Sequence, residues 1–458
     1  MPPTDSAIQY VRANRDRYLE ELKEFLRIPS VSTLSEHKSD MQRAAEWVAS
    51  QLRSMGMDNV QIMPTAGHPV VYADWRCATG APTLLIYGHY DVQPVDPVDE
   101  WQSGPFGPEI RGENIYARGA SDMKGQVHAC LKATEAMFKD GKPGINLKYL
   151  IEGEEEIGSP NLEPFIVKHL DLLSCDVALN ADSSILKPDV PSIVYGLRGL
   201  AYFELHVHGP SHDLHSGLFG GAVHNPAQVL CELIAGMHDR DGRITLPGFY
   251  DQVRKLSGEV RAELARSPYG EADVLEASGA PQLFGEAGFT ANEHLGVRPT
   301  LEVNGILSGF TGEGAKTVLP AKAMAKISMR LVPEQDPAEA GDQLRAYLGR
   351  HAPASVTWEL TELVHGPAII VERNSNAVRA AAAALKTVFS KDPVFNLQGG
   401  SVPIVSMMKT RLGVDSVLLG FGLPDDNLHA PNEKLHLPNY FKGIETYVHF
   451  MANMAAGA

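Results

Sequence analysis

Four apolar runs in this chain end in clusters of Asp, Glu and His. Thr83 to Gly88 leads into His89-Tyr90-Asp91, and Leu147 to Ile151 leads into Glu152-Gly153-Glu154-Glu155-Glu156. Val177 to Asn180 leads to Asp182, and Gly420-Phe421-Gly422 leads into Asp425-Asp426-Asn427-Leu428-His429. A further carboxylate, Asp122, follows Arg118-Gly119-Ala120-Ser121. Imidazoles mixed with carboxylates are a donor set that suits zinc, manganese or cobalt. In open α/β sheets, sites collect beyond the carboxyl ends of the strands. The conjunction of these pieces, in this order, points to a metal site. No piece does so alone: His-x-Asp is a common surface turn, a Glu154–Glu156 run is usually solvated, and His429 is one of 17 histidines.

The elements that must position these groups follow from hydrophobic periodicity. Ile8, Val11, Leu19, Leu22, Phe25 and Leu26 predict an amphipathic helix stopped by Pro29, and a second helix spans about 39 to 55 before Gly56. Strands are expected at 70–75, 83–87, 147–151 and 176–179, and helices at 122–139 and 162–173. Continuous apolar runs such as Thr83 to Tyr87 suit strands covered on both faces. The alternation of strand and helix argues for an α/β unit with a mainly parallel sheet. The pattern changes after Gly196. Ala201 to His208 and Ala323 to Val332 alternate, as strands with one wet face do. Helices are expected at 225–237, 250–264 and 337–348, and a strand at 355–363. The α/β style resumes with a helix at 375–389, a strand at 416–420 and a terminal helix at 438–454. The expected organisation is an α/β domain, 1–197 and 366–458, interrupted by an α+β domain, 198–365.

Hydrophobic residues make up 44% of the 458, enough to build a sizeable core. Forty Lys and Arg against 56 Asp and Glu give a net charge of −16, which disfavours a nucleic-acid partner. No apolar run reaches the ~18 residues of a membrane span, and the first residues lack the pattern of a secretory leader. The four cysteines are far apart with no CxxC, as expected of reduced thiols in a cytoplasmic protein.

Several segments together resemble a family of metallopeptidases that includes carnosinase, carboxypeptidase G, aminoacylase and succinyl-diaminopimelate desuccinylase. They are GHYDVQP (88–94), ARGASDMKGQ (117–126), EGEEEIGS (152–159), DLHSGLFGG (213–221), KTVLP (316–320), SMRLVP (328–333), GGSVP (399–403) and NLHAPNEKL (427–435). They span nearly the whole chain, and HSGLFGG resembles the cytosolic non-specific dipeptidase and carnosinase branch most. The resemblance implies two divalent metal ions, zinc or manganese. His89 and Asp182 would hold one, Glu156 and His429 the other, and Asp122 would bridge them. Asp91 would orient His89, and Glu155 would be the general base for a hydroxide held by the two metals. Glu154 would then be an additional acidic residue. His215 would stabilise the oxyanion, Arg330 would clamp the substrate carboxylate, and Thr317, Gly400 and Ser401 would make further substrate contacts. The inserted domain would serve as lid and dimerisation surface of a homodimer. The implied substrate is a dipeptide or short peptide with a free C-terminal carboxylate, with an N-acyl amino acid as the alternative.

Two other chemistries leave traces. Gly309 to Thr317 nearly makes a P-loop, but Ala315 intrudes before Lys316 and the next element reads as strand. Ser121-Asp122-Met123-Lys124 matches Ser-x-x-Lys, without the partner motifs of a serine acyl-enzyme.

Overall fold

The computed structural model describes residues 4–76, 80–139, 141, 143–400 and 403–457. Cα proximity divides the chain into two compact units: 1–195 with 371–396 and 403–458, and 196–370 with 397–402.

The first unit is built on one large sheet. Its strands lie in the order Asp58–Met63, Val70–Trp75, Asn146–Glu152, Thr83–His89, Val177–Asn180, Ser416–Leu418, Ser192–Leu197 and Ile369–Ile370, with Val394–Gln398 also paired to Ser192–Leu197. The four at the centre (Asn146–Glu152, Thr83–His89, Val177–Asn180 and Ser416–Leu418) are mutually parallel, and the flanking pairs along that order are antiparallel. After the first residue, every position of Thr83–His89 and Asn146–Glu152 is buried, so both faces of the central sheet are covered. Helix Leu437–Ala455 packs against both Lys124–Lys139 and Asn376–Phe389.

Two expected helices are broken. The first divides at Asn14, whose backbone leaves helical angles, into Thr4–Ala13 and Arg15–Leu26; the Asn14 side chain donates to Tyr10 O at 2.8 Å. The second divides at His169 into Leu162–Lys168 and Leu170–Leu173. The helix expected from Asp122 begins at Lys124, leaving Asp122 in a turn.

The second unit holds a four-stranded antiparallel sheet, ordered Thr300–Ser308, Lys322–Leu331, Gly199–His208 and Thr357–Gly366. Burial alternates along its two central strands. Phe203, Leu205, Val207, Ile327 and Met329 form a core with Val229, Leu230 and Leu233 of helix Pro226–Gly236 and Leu344 and Leu348 of helix Pro337–His351. His206 lies on the opposite face and bonds Glu204 at 2.7 Å, an ordinary sheet residue. Between Tyr250 and Leu264 only Gly258–Leu264 is helical, started by the Ser257 hydroxyl accepting from Val260 N. No helix follows Gly309 to Thr317, which removes the P-loop reading.

Candidate metal centre

All four central parallel strands deliver their polar residues at the same end of the sheet. His89 is the last residue of its strand, and Asp182 lies two residues beyond another. Glu155 and Glu156 sit in the turn after Asn146–Glu152, and His429 in the long loop after Ser416–Leu418. Asp122 joins them from the turn before helix Lys124–Lys139. Two groups of potential ligand atoms result, each with its atoms within 4.8 Å of one another: His89, Asp122 and Asp182, and Asp122, Glu156 and His429. Asp122 belongs to both. Its Oδ1 lies 3.2 Å from His89 Nε2, and its Oδ2 lies 3.0 Å from His429 Nε2. Glu156 Oε2 is 3.2 Å from the same His429 nitrogen.

Asp91 is buried behind this cluster. The Nδ1 atom of His89 lies 3.0 Å from Asp91 O and 3.3 Å from its Oδ1, so Nδ1–H is directed away and Nε2 faces the site. The Asp91 carboxylate also accepts from Glu155 N at 3.3 Å and Glu156 N at 3.1 Å. It therefore orients both the histidine and the two-glutamate turn. Glu154 faces elsewhere, and its carboxylate accepts from His68 N and the Asn161 side chain, fastening neighbouring loops.

His429 takes a left-handed backbone, φ 61°, between Asn427 and Asn432 at 56° and 62°. That region costs an L-residue about 1–2 kcal/mol. Hydrogen bonds fix the loop: Asn432 donates to Glu100 O and accepts from Gln102 N. The His429 side chain is 56% exposed whereas that of His89 is fully buried, so the centre opens to solvent on the His429 side.

Five carboxylates, Asp91, Asp122, Glu155, Glu156 and Asp182, meet two imidazoles here. Burial, then the charge of Asp122, pushes the Asp182 carboxyl up to about 7. Burial also raises Glu155 well above the usual carboxylate range; His89 pulls it down, while Asp182 and Glu156 push it further up. Burial and Asp122 raise Glu156 as well. Burial works to raise Asp122, but hydrogen bonds from His429 and His89 outweigh it and hold the carboxyl below its ordinary value. His429 is raised to about 10 by its bonds to Asp122 and Glu156. A cluster so rich in negative charge retains protons when nothing else neutralises it. Divalent cations fit in their place: the donors are nitrogen and oxygen, and the shared carboxylate offers one oxygen to each group.

Of the other sequence-predicted residues, His215, Thr317, Arg330 and Gly400 lie in the second unit. His215 ends the short strand Leu214–His215, paired with Val318–Leu319, and Thr317 O accepts from Ser216 N. His215 and Thr317 are thus neighbours, both exposed, with His215 Nδ1 accepting from Gly217 N at 3.0 Å. Arg330 is half-buried on strand Lys322–Leu331, between Thr300 and Leu200 in the register. Gly400 is exposed, and Ser401 lies outside the described residues.

Sequence reasoning missed several supporting groups. Gln93 Nε2 donates to both Glu156 O and Glu156 Oε2. Asp426 Oδ2 accepts from Ser121 Oγ at 2.7 Å. Arg198 donates to Gly399 O, next to Gly400, and is held below its ordinary pKa, to about 10, by burial and then by the charge of Arg330. Gln93 and Asp426 stand in or beside the motifs, but nothing in residue type or spacing marks their partners.

Comparison with known proteins places these observations. A family model for peptidase family M20/M25/M40 matches residues 85–453. The Cys-Gly metallodipeptidase DUG1 of Candida albicans is 30% identical, the match covering 98% of this chain and 97% of the relative. The human Beta-Ala-His dipeptidase is also 30% identical, covering 99% of this chain and 94% of the relative. Among solved structures, the Saccharomyces cerevisiae di-peptidase Dug1p has a TM-score of 0.89 at 27% identity, over 100% of this chain and 99% of that one. The metallo-carboxypeptidase Sso-CP2 of Sulfolobus solfataricus has a TM-score of 0.85 at 35% identity, over 96% and 99%.

Proposed function

We propose a function from the premise that the chain belongs to peptidase family M20/M25/M40: it is a metal-dependent dipeptidase that hydrolyses the peptide bond of dipeptides or short peptides with a free C-terminal carboxylate. The observation that carries this reading is the Asp122 carboxylate, shared between two ligand groups with one oxygen toward each histidine. His89 and Asp182 would hold one divalent ion, Glu156 and His429 the other, with Asp122 common to both. Bound there, the two cations would acidify a water and polarise the scissile carbonyl.

The chain's own residues do the rest. Asp91 holds His89 and the Glu155–Glu156 turn in place. A Glu155 carboxylate oxygen accepts a proton from the attacking water and returns it to the departing amine. A base in that role must titrate near the working pH. His215 donates to the oxyanion. Arg330 binds the substrate carboxylate in a fork that lysine cannot copy, with Thr317, Gly400 and Ser401 as further contacts.

The proposed organisation is a catalytic domain over 1–197 and 366–458, with 198–365 as lid and dimerisation domain of a homodimer. The metal is zinc or manganese. Cytoplasmic residence is supported by the free thiols of Cys130, Cys175 and Cys231. Among the described residues, no helix is long and apolar enough to cross a membrane.

The test is hydrolysis of a panel of dipeptides, Cys-Gly and Beta-Ala-His among them, and N-acyl amino acids. It is run on the chelated protein and again after zinc or manganese is returned. Dipeptides should be cleaved only with metal. Preference for N-acyl amino acids would make the chain a deacylase, and full hydrolysis after chelation would end the proposal.

A further inference from the structure

Antiparallel pairing of Lys434–His436 with Asn114–Tyr116 sets Lys434 opposite Tyr116 and brings Glu433 beside Ala117. Ala117 N donates to Glu433 O at 3.1 Å. The Glu433 side chain, fully buried, then runs under the turn that ends in Asp122. Its two oxygens accept four hydrogen bonds. Oε1 takes Ser121 N at 2.9 Å and Asp122 N at 3.0 Å. Oε2 takes Gly119 N at 2.9 Å and Arg118 Nη1 at 2.8 Å. Arg118 is itself 1% exposed. Four donors converge on one carboxylate, and none of the four groups could accept a proton in return.

We propose that Glu433 is a positioning residue for the metal centre: by binding the amide of Asp122 and its neighbours, it fixes where the Asp122 carboxylate stands relative to His89 and His429. Three observations converge on this role. The bonds fall on the backbone of Asp122 itself, so rotation of the turn must break them. Glu433 lies four residues after His429, so one carboxylate ties the His429 loop to the Asp122 turn. Asp426, three residues before His429, makes the parallel tie through Ser121 Oγ. The 3.0 Å approach of His429 Nε2 to Asp122 Oδ2 is therefore set from both sides of His429.

The inference rests on the reading of the site as a two-metal centre, and its test separates the two. Zinc is titrated calorimetrically into the chelated full-length protein and its Glu433→Gln variant, and turnover is measured at limiting and saturating zinc. Glutamine keeps the size but turns an NH2 group toward two donors. Ions bound through Asp122 should bind about 10–100-fold more weakly, the usual cost of losing a group that orients a ligand. Turnover lost at limiting zinc should recover at saturating zinc, which a general loss of structure would not allow. Should the Gln variant not fold, Glu433→Asp carries the same measurement, since it keeps the charge but withdraws the oxygens by one methylene.

Unchanged zinc constants in a folded variant would overturn the positioning role while leaving the metal centre standing. Failure of both variants to fold would reduce Glu433 to a structural residue. Absence of zinc binding by the wild-type chain would remove both readings together.

Discussion

Asp122 and His429, 307 positions apart, meet at 3.0 Å between Oδ2 and Nε2. The other oxygen of the same carboxylate is 3.2 Å from His89 Nε2. One short side chain thus joins groups from three separate parts of the chain.

Glu155→Ala should retain two metal ions and lose at least ~100-fold in turnover, the usual range for removal of a general base. Glu155 stands outside both ligand groups, so its loss removes proton transfer without removing a donor atom. Elemental analysis beside dipeptide hydrolysis checks both halves. A variant that turns over at the wild-type rate would deny Glu155 its role.

In the metal-free protein, Asp182 has its carboxyl raised to about 7 by burial and then by Asp122. A carboxyl raised on folding contributes stability that is fully present below its unfolded value, near 3.9, and is lost as pH rises through about 7. The chelated wild type should therefore lose more melting temperature between pH 5 and pH 8 than chelated Asp182→Asn, which has no proton there to release. Identical slopes for the two proteins would contradict the raised value.

Arg330→Lys should raise KM for dipeptides while changing kcat little, because a point charge replaces a two-pronged donor. His215→Ala should lower kcat by about 100-fold or more, the cost of one oxyanion donor, with metal content unchanged. Steady-state kinetics with metal analysis distinguishes the two. Unchanged KM in the first variant, or full activity in the second, would take that residue out of the mechanism.

The centre is readable in the sequence where polar residues directly follow apolar strands. His89, Asp182 and the Glu155–Glu156 pair belong to that class, and the sheet delivers all of them at one end. Asp122 is readable as a residue but not as a geometry. Periodicity places it at the start of a helix, whereas its amide is bonded to Glu433 and the helix waits until Lys124. Glu433 itself stands within the NLHAPNEKL segment with no role that its type or spacing suggests, since its partners are mostly backbone amides, which no residue type encodes. The breaks at Asn14 and His169 are hidden because apolar spacing continues across each one, while the backbone of both residues departs from helical angles.

The parallel pairing of Thr83–His89 with Asn146–Glu152 sets Gly88 against Ile151 and His89 against Glu152. Adjacent positions on a strand point to opposite sides, and a side chain at position 88 would meet Val127, so sliding Thr83–His89 by one residue would aim His89 into helix Lys124–Lys139. The arrangement of the catalytic groups is thus inherited from the alignment of apolar residues that never touch a substrate, and altering that alignment would disable the enzyme while every reactive side chain remained in its sequence.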